Sequence, residues 1–105
     1  MASVDELAAE TKRAFGFLAE HGFTLAGERQ HWPESFKGGF ELTYASAASR
    51  IRIHYGDMEL TVDRDGEELF GPTNRGSFHG NMFSRENLLL ALERIANDVQ
   101  GRLER

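Results

Sequence analysis

The most regular pattern in the chain is an alternation of apolar and polar residues over positions 50–66, RIRIHYGDMELTVDRDG. Apolar residues occupy every second position on both sides of a central Gly56-Asp57 pair: Ile51, Ile53, Tyr55, Met58, Leu60 and Val62. A period of two is typical of strands with one buried and one solvated face. The segment therefore predicts a β-hairpin whose polar side chains share one outer face.

The two-residue Gly56-Asp57 loop predicts a register in which Tyr55 lies opposite Met58. Counting outward from this loop gives three polar pairs on the outer face: His54 with Glu59, Arg52 with Thr61, and Arg50 with Asp63. Every apolar residue then faces an apolar one, and every polar residue faces a polar one. Matched faces of this kind specify a strand register.

Two further strands are predicted before this hairpin, over residues 23–30 and 36–45. If Leu42 lies opposite Ile53, then Glu41 lies opposite His54. Glu41, His54 and Glu59 would then form one row across three neighbouring strands.

Helical periodicity appears at both ends of the chain. Ser3 to Glu6 matches a capping box, and the apolar positions that follow predict a helix over 4–21 that ends at Gly22. Ser84 is a suitable cap for a final helix, which has an apolar stripe down to Leu103. Between the last strand of the hairpin and this helix, residues 67–70 allow a short fifth strand, and residues 71–83 form a Gly-rich loop.

The order of elements, α-β-β-β-β-α, predicts the fold class. We expect an α+β fold, a two-layer sandwich in which an antiparallel meander sheet carries both helices on one face. The length of 105 residues is that of a single globular domain, 1–105. The other face of the sheet is expected to be open to water or to a partner.

Composition and charge exclude several classes of function. The chain has no cysteine, which excludes disulfides and thiolate chemistry, and its net charge of −5 argues against a nucleic-acid partner. No apolar run approaches the ~20 residues of a membrane span, and the N-terminal segment lacks the pattern of a signal peptide. We expect a cytoplasmic protein with no nucleic-acid and no membrane partner.

The Glu41-His54-Glu59 row is the first candidate for chemistry. A histidine between carboxylates resembles a general acid–base site, but no nucleophile or oxyanion hole accompanies the row. The simpler interpretation is charge pairing on a solvated sheet face, and no catalytic residue is assigned. The four histidines lack the spacing of metal ligands, so neither a metal nor a cofactor is expected.

The Gly-rich loop 71–83 is the second candidate. Its Arg75 and His79 are suited to contact an anion near the start of the final helix, although an ordinary connection with apolar residues in the core is an equal alternative. The loop matches neither a P-loop nor a dinucleotide-binding motif. The candidate binding residues are therefore Glu41, Arg50, Arg52, His54, Glu59, Asp63, Arg75 and His79.

The segment FLAEHGFTL, followed by short amphipathic strands, resembles small bacterial α+β proteins of the toxin-immunity type. The likeness covers residues 17–70 and consists in the layout of the elements, without a diagnostic motif. It implies a compact, acidic, non-catalytic protein that neutralises a toxin by covering it. No binding residue is carried over to this chain.

We expect a non-enzymatic module that binds a protein partner, or a second copy of itself, through the outer sheet face and the 71–83 loop. Three alternatives stay open. One is a small-ligand protein with a pocket between sheet and helices, lined by Tyr44, Tyr55 and Trp32. A hydrolase built on the Glu41-His54-Glu59 row is another. RNA binding on the open sheet ranks last, because the strand aromatics are predicted on the buried face.

Overall fold

The computed structural model describes residues 4–31, 39–56, 59–71, 73–74 and 85–104. Its elements in chain order are α1 (Val4–Ala14), a 3₁₀ helix (Gly16–His21), β1 (Thr24–His31), β2 (Gly39–Ala45), β3 (Arg50–Gly56), β4 (Glu59–Arg64), β5 (Glu67–Phe70) and α2 (Arg85–Leu103). The strands form one antiparallel meander in the order β1-β2-β3-β4-β5. The predicted α+β fold is confirmed, and residues 67–70 add the fifth strand that the sequence allowed.

One face of the sheet and the apolar stripes of the helices form a single core. Leu42, Ile53 and Val62 at the centre of the sheet are fully buried, as are Leu88 and Ile95 of α2. α1 packs against α2 and contacts β2, while α2 contacts β5. Burying one such side chain contributes about 1.5–3 kcal/mol, so the docking of both helices on this face is a main source of stability.

The β2–β3 register agrees with the prediction at every pair. Leu42 lies opposite Ile53, and Phe40 lies opposite Tyr55. The rings of Phe40 and Tyr55 stack with their centroids 5.7 Å apart. Aromatic cross-strand pairs stabilise a sheet beyond the area that they bury, which helps to hold this register.

The β3–β4 register differs from the prediction by two residues. Gly56 lies opposite Glu59, and Ile53 lies opposite Val62. The two residues between these strands are therefore 57–58, which lie outside the described residues, and the prediction of a Gly56-Asp57 loop was wrong. A shift of two residues keeps every side chain on its own face, so the apolar pattern fits both registers.

Contacts at the far end of this hairpin favour the observed register. The Arg50 amide donates a hydrogen bond to Oδ1 of Asp65 at 2.9 Å, and the Asp65 amide donates to the Arg50 carbonyl at 3.0 Å. Asp65 and Gly66 have φ values of 52° and 88°, as a type I′ turn between β4 and β5 requires. This turn places Asp65 beside Arg50, so Asp63 comes to lie opposite Arg52.

The first helical segment is not one helix over 4–21. α1 ends at Ala14, and the chain continues as a 3₁₀ helix from Gly16. Glycine loses more conformational entropy in a helix than other residues do, and the tighter winding still keeps Leu18 in the core. Gly22 ends the segment in the left-handed conformation with φ 84°, as predicted.

α2 has 19 residues and buries one face, as its predicted apolar stripe requires. On its opposite side, Leu90 is 84% exposed. Neither α2 nor another helix in the described ranges is long and apolar enough to cross a membrane.

Several sequence predictions fall outside the described residues. They concern the helix caps Ser3 and Ser84, the turn residue Trp32, and most of the 71–83 loop, including Arg75 and His79. The start of this loop is described. The Glu68 carboxylate accepts hydrogen bonds from the amide (3.0 Å) and the hydroxyl of Thr73. It also packs so closely on Gly71 that a Cβ there would lie 2.8 Å from it.

Two glycine substitutions test the turn and helix geometry with opposite expected signs. Gly66→Ala is expected to lower the free energy of unfolding by about 1 kcal/mol or more, because φ 88° strains a residue with a Cβ. Gly101→Ala is expected to raise it by about 0.5–1 kcal/mol, because a Cβ on this exposed helical site meets open space. Urea denaturation measures both changes. Effects of the same sign would contradict the described geometry.

Candidate binding surface

The sheet face away from the helices is polar, and we call it the outer face. Its described charged and hydroxyl-bearing residues on β1 to β4 are Thr24, Arg29, Glu41, Thr43, Arg50, Arg52, His54, Glu59, Thr61 and Asp63. Along β2, β3 and β4 these positions alternate with buried ones. The alternation in the sequence therefore identified which residues of these three strands share this face.

Arg52 forms ion pairs with two carboxylates on the outer face. Its Nη2 lies 3.3 Å from Oδ2 of Asp63, and its Nη1 lies 3.7 Å from Oε1 of Glu41. Asp63 is directly opposite on β4, whereas Glu41 is diagonal to Arg52 on β2. One guanidinium thus joins three adjacent strands through two carboxylates.

Arg52, Glu41 and Asp63 form a group that we call the Arg52 cluster. Its positively charged guanidinium faces the solvent. The Arg52 side chain is 54% exposed, whereas those of Glu41 and Asp63 are 24% and 16% exposed. Solvated ion pairs of this kind contribute only about 0–1 kcal/mol each to stability. Their larger effect is to orient the guanidinium, whose planar set of five N–H donors suits carboxylate recognition.

His54 has one of its two predicted neighbours directly opposite it. Glu41 lies opposite on β2 as predicted, but the residue opposite on β4 is Thr61, where Glu59 was predicted. The imidazole lies over Gly56, since a Cβ there would be 2.9 Å from its Cε1. Glu59 is opposite Gly56, so it is a diagonal neighbour of His54, and the predicted straight row was wrong.

Arg50 and Asp63, predicted to lie directly opposite each other, are diagonal neighbours on the outer face. Arg50 lies opposite Ala45 on β2, and its amide is held by the side chain of Asp65. Asp63 binds Arg52 instead. The prediction was wrong for the same reason as the loop, namely the two-residue shift between β3 and β4.

The contribution of β1 to this surface was missed by sequence reasoning. Arg29 lies opposite Glu41 and extends the outer face by one strand. On the other side of β1, Glu28 accepts a hydrogen bond from Nζ of Lys12 at 2.9 Å. A bulge between Leu25 and Gly27 interrupts the alternation here, which is why the pattern carried no clear signal.

Tyr44 lies on the buried face of β2, opposite Leu25 of β1. Burial, together with the nearby Glu28 carboxylate, raises the pKa of the Tyr44 hydroxyl above its ordinary value of 10.0. The phenol therefore stays neutral at physiological pH. Tyr44 and Tyr55 are both buried, so they belong to the core and not to an accessible ligand pocket.

A solvent-open cavity of about 450 Å³ lies on the surface of the helical layer. It is lined by residues of α1, the 3₁₀ helix and α2, among them Ala14, Phe17 and Leu90. The sequence instead suggested a pocket between the helices and the sheet. Among the described residues, no group of three or more His, Asp or Glu side chains is placed to hold a metal ion.

A double-mutant cycle on Arg52 and Asp63 tests the centre of this surface. Alanine substitutions are expected to give a coupling of about 0.2–1 kcal/mol in the free energy of unfolding, because the pair is direct but solvated. Chemical denaturation at low salt measures it. The same cycle on Arg50 and Asp63, which are diagonal neighbours across β3 and β4, is the control and is expected to give the smaller coupling. A larger coupling in the control pair would rule out the observed register.

No family model, curated protein or solved structure matches this chain.

Proposed function

We propose that this chain is a non-enzymatic, cytoplasmic protein-binding module that covers part of a partner protein with its outer sheet face. The observation that carries this proposal is the Arg52 cluster, in which an exposed guanidinium lies between Glu41 and Asp63 and pairs with both. The sheet beneath it is backed by the helical core. Groups held in place before binding lose little conformational entropy on association, which suits this face to a protein surface.

The charge of the chain favours a basic partner that also offers an acidic group. The net charge of −5 would steer the chain toward a positive surface, and the Arg52 guanidinium would then contact a carboxylate of that surface. This fits the resemblance of residues 17–70 to immunity-type proteins. We propose that the partner to test first is an enzyme, which this chain would inactivate by covering it.

Small-ligand binding is the second candidate function. The observation in its favour is the cavity in the helical layer, whose volume of about 450 Å³ lies within the range of small-molecule sites. Its lining mixes apolar side chains with charged ones such as Glu10 and Arg13. Those two side chains already bind each other, and the exposed Arg52 cluster is the stronger argument.

A hydrolase is not proposed. The observed register creates a row of Glu41, His54 and Thr61, which has the residue types of an acid–base–hydroxyl triad. The row stands on the outer face, not in the helical-layer cavity, and the imidazole is placed over Gly56. RNA binding is disfavoured because Phe40, Tyr44 and Tyr55 are buried, as predicted.

Affinity capture from a lysate of the source organism tests the proposal. The full chain as bait is expected to retain one stoichiometric protein, identified by mass spectrometry. Arg52→Glu is expected to weaken binding of that protein about tenfold or more, because the charge that meets the partner is reversed.

Arg94→Glu is the matched control for this experiment. Arg94 is an exposed arginine on α2, in the layer behind the sheet, so its reversal changes net charge equally but leaves the outer face intact. Binding by this variant is expected to stay within about twofold of the native value. Repeated recovery of the bait alone, or equal losses for both reversals, would contradict the proposal.

A further inference from the structure

β1 forms an open edge of the sheet. It pairs with β2 along one side, and no described strand pairs with its other side. Every residue from Thr24 to Gln30 is exposed, although side chains alternate between the two faces of a strand. The helices therefore leave most of β1 uncovered, although Lys12 of α1 reaches Glu28. The edge that no described strand pairs with offers the backbone N–H and C=O groups that a further strand would need.

The opposite edge of the sheet is less suited to strand addition. β5 has four residues against eight in β1. α2 contacts β5, and Phe70 at its end is buried. The chain then turns back on itself, with the Gly71 amide donating to the Asn74 carbonyl at 2.9 Å. Length and exposure thus both favour β1.

The side chains of β1 determine what can lie beside it. Leu25 is 43% exposed, so an apolar neighbour would cover it. Glu28 and Arg29 are consecutive and project to opposite faces, Glu28 toward the helical side beside Lys12 and Arg29 toward the outer face beside Glu41. A complementary strand carries a basic residue next to Glu28 and an acidic residue next to Arg29.

A second copy of this chain does not meet that requirement where residues 27–31 of the two copies pair with each other. When residues 27–31, which follow the bulge, pair with the same residues of a second copy about a two-fold axis, the two faces of the sheet are kept and the numbers of paired residues have an even sum. The register that pairs all of residues 27–31 sets Arg29 opposite Arg29, and the register one step away sets Glu28 opposite Glu28. Like charges in direct opposition destabilise a strand pair, and edge strands often use charge to avoid self-association.

We propose that β1 is the docking edge for an extended segment of the partner protein, which joins the sheet as a further strand. Main-chain hydrogen bonds supply affinity in this mode, and alternate side chains supply specificity. The segment contains adjacent basic and acidic residues that lie beside Glu28 and Arg29. This inference rests on the proposed function, since the added strand continues the outer face at Arg29.

A peptide library tests the docking edge directly. Phage-displayed 12-residue peptides are selected on the full chain, and the most enriched peptide is synthesised as the probe. The selected peptides are expected to share adjacent residues of opposite charge. Bound probe is expected to slow amide hydrogen exchange about tenfold or more at alternate residues of β1, with β5 amides unchanged, as measured by NMR.

An exchange of charges distinguishes this site from others. The double variant Glu28→Arg, Arg29→Glu keeps the length and net charge of β1, and it is expected to bind the probe about tenfold or more weakly. Panning on this variant is expected to enrich the reversed charge order. Glu67→Arg, an exposed reversal on the β5 edge, is the control and is expected to leave probe affinity unchanged.

The docking edge would be overturned if no peptide is enriched, if the probe is insensitive to the charge exchange, or if protection is confined to the helical-layer cavity. Dimerisation of the free chain with protection of β1 would also overturn it. Partner capture that depends on Arg52 but not on Glu28 and Arg29 would remove this inference and leave the proposed function standing. Loss of the Arg52 dependence would instead contradict the proposed function itself.

Discussion

The burial of one face of β2, β3 and β4 is the constraint on which the rest of the structure depends. Ile53 and its neighbours on this face have no exposed surface. Because side chains alternate along a strand, burying one set presents the intervening polar set to solvent, so the core and the outer face arise from one pattern. A shift of a single residue in a central strand would exchange the two faces and expose several buried apolar side chains. Each of them contributes about 1.5–3 kcal/mol to the stability of the fold.

This constraint explains what could be predicted from the sequence. The periodicity of apolar residues predicts the order of helices and strands and which side chains are buried. Matching apolar residues across the strands predicted the β2–β3 register. The β3–β4 register did not, because a shift of two residues preserves every face. The deciding contacts are the Asp65–Arg50 hydrogen bonds and the positive φ of Asp65 and Gly66. Neither of these features changes the alternation of apolar and polar residues, so the hydrophobic pattern could not predict them. The bulge in β1 interrupts the alternation there, so the contribution of β1 to the outer face was not predicted.

The two-residue shift also changes the chemistry of the candidate site. It replaces a straight Glu41-His54-Glu59 row with a cluster centred on Arg52. An arginine stays charged and serves recognition better than proton transfer, which suits the proposed binding role. Arg29 on β1 lies on the same face, so a surface centred on Arg52 and a strand added at β1 would form one continuous interface.

The register of β3 and β4 is the central claim, since the position of Arg52 between Glu41 and Asp63 depends on it. Nuclear Overhauser contacts between the backbone protons of the two strands measure it most directly. The observed register predicts contacts of Ile53 with Val62 and of Arg52 with Asp63. Backbone contacts of Ile51 with Val62 and of Arg50 with Asp63 would contradict it and restore the row through Glu59.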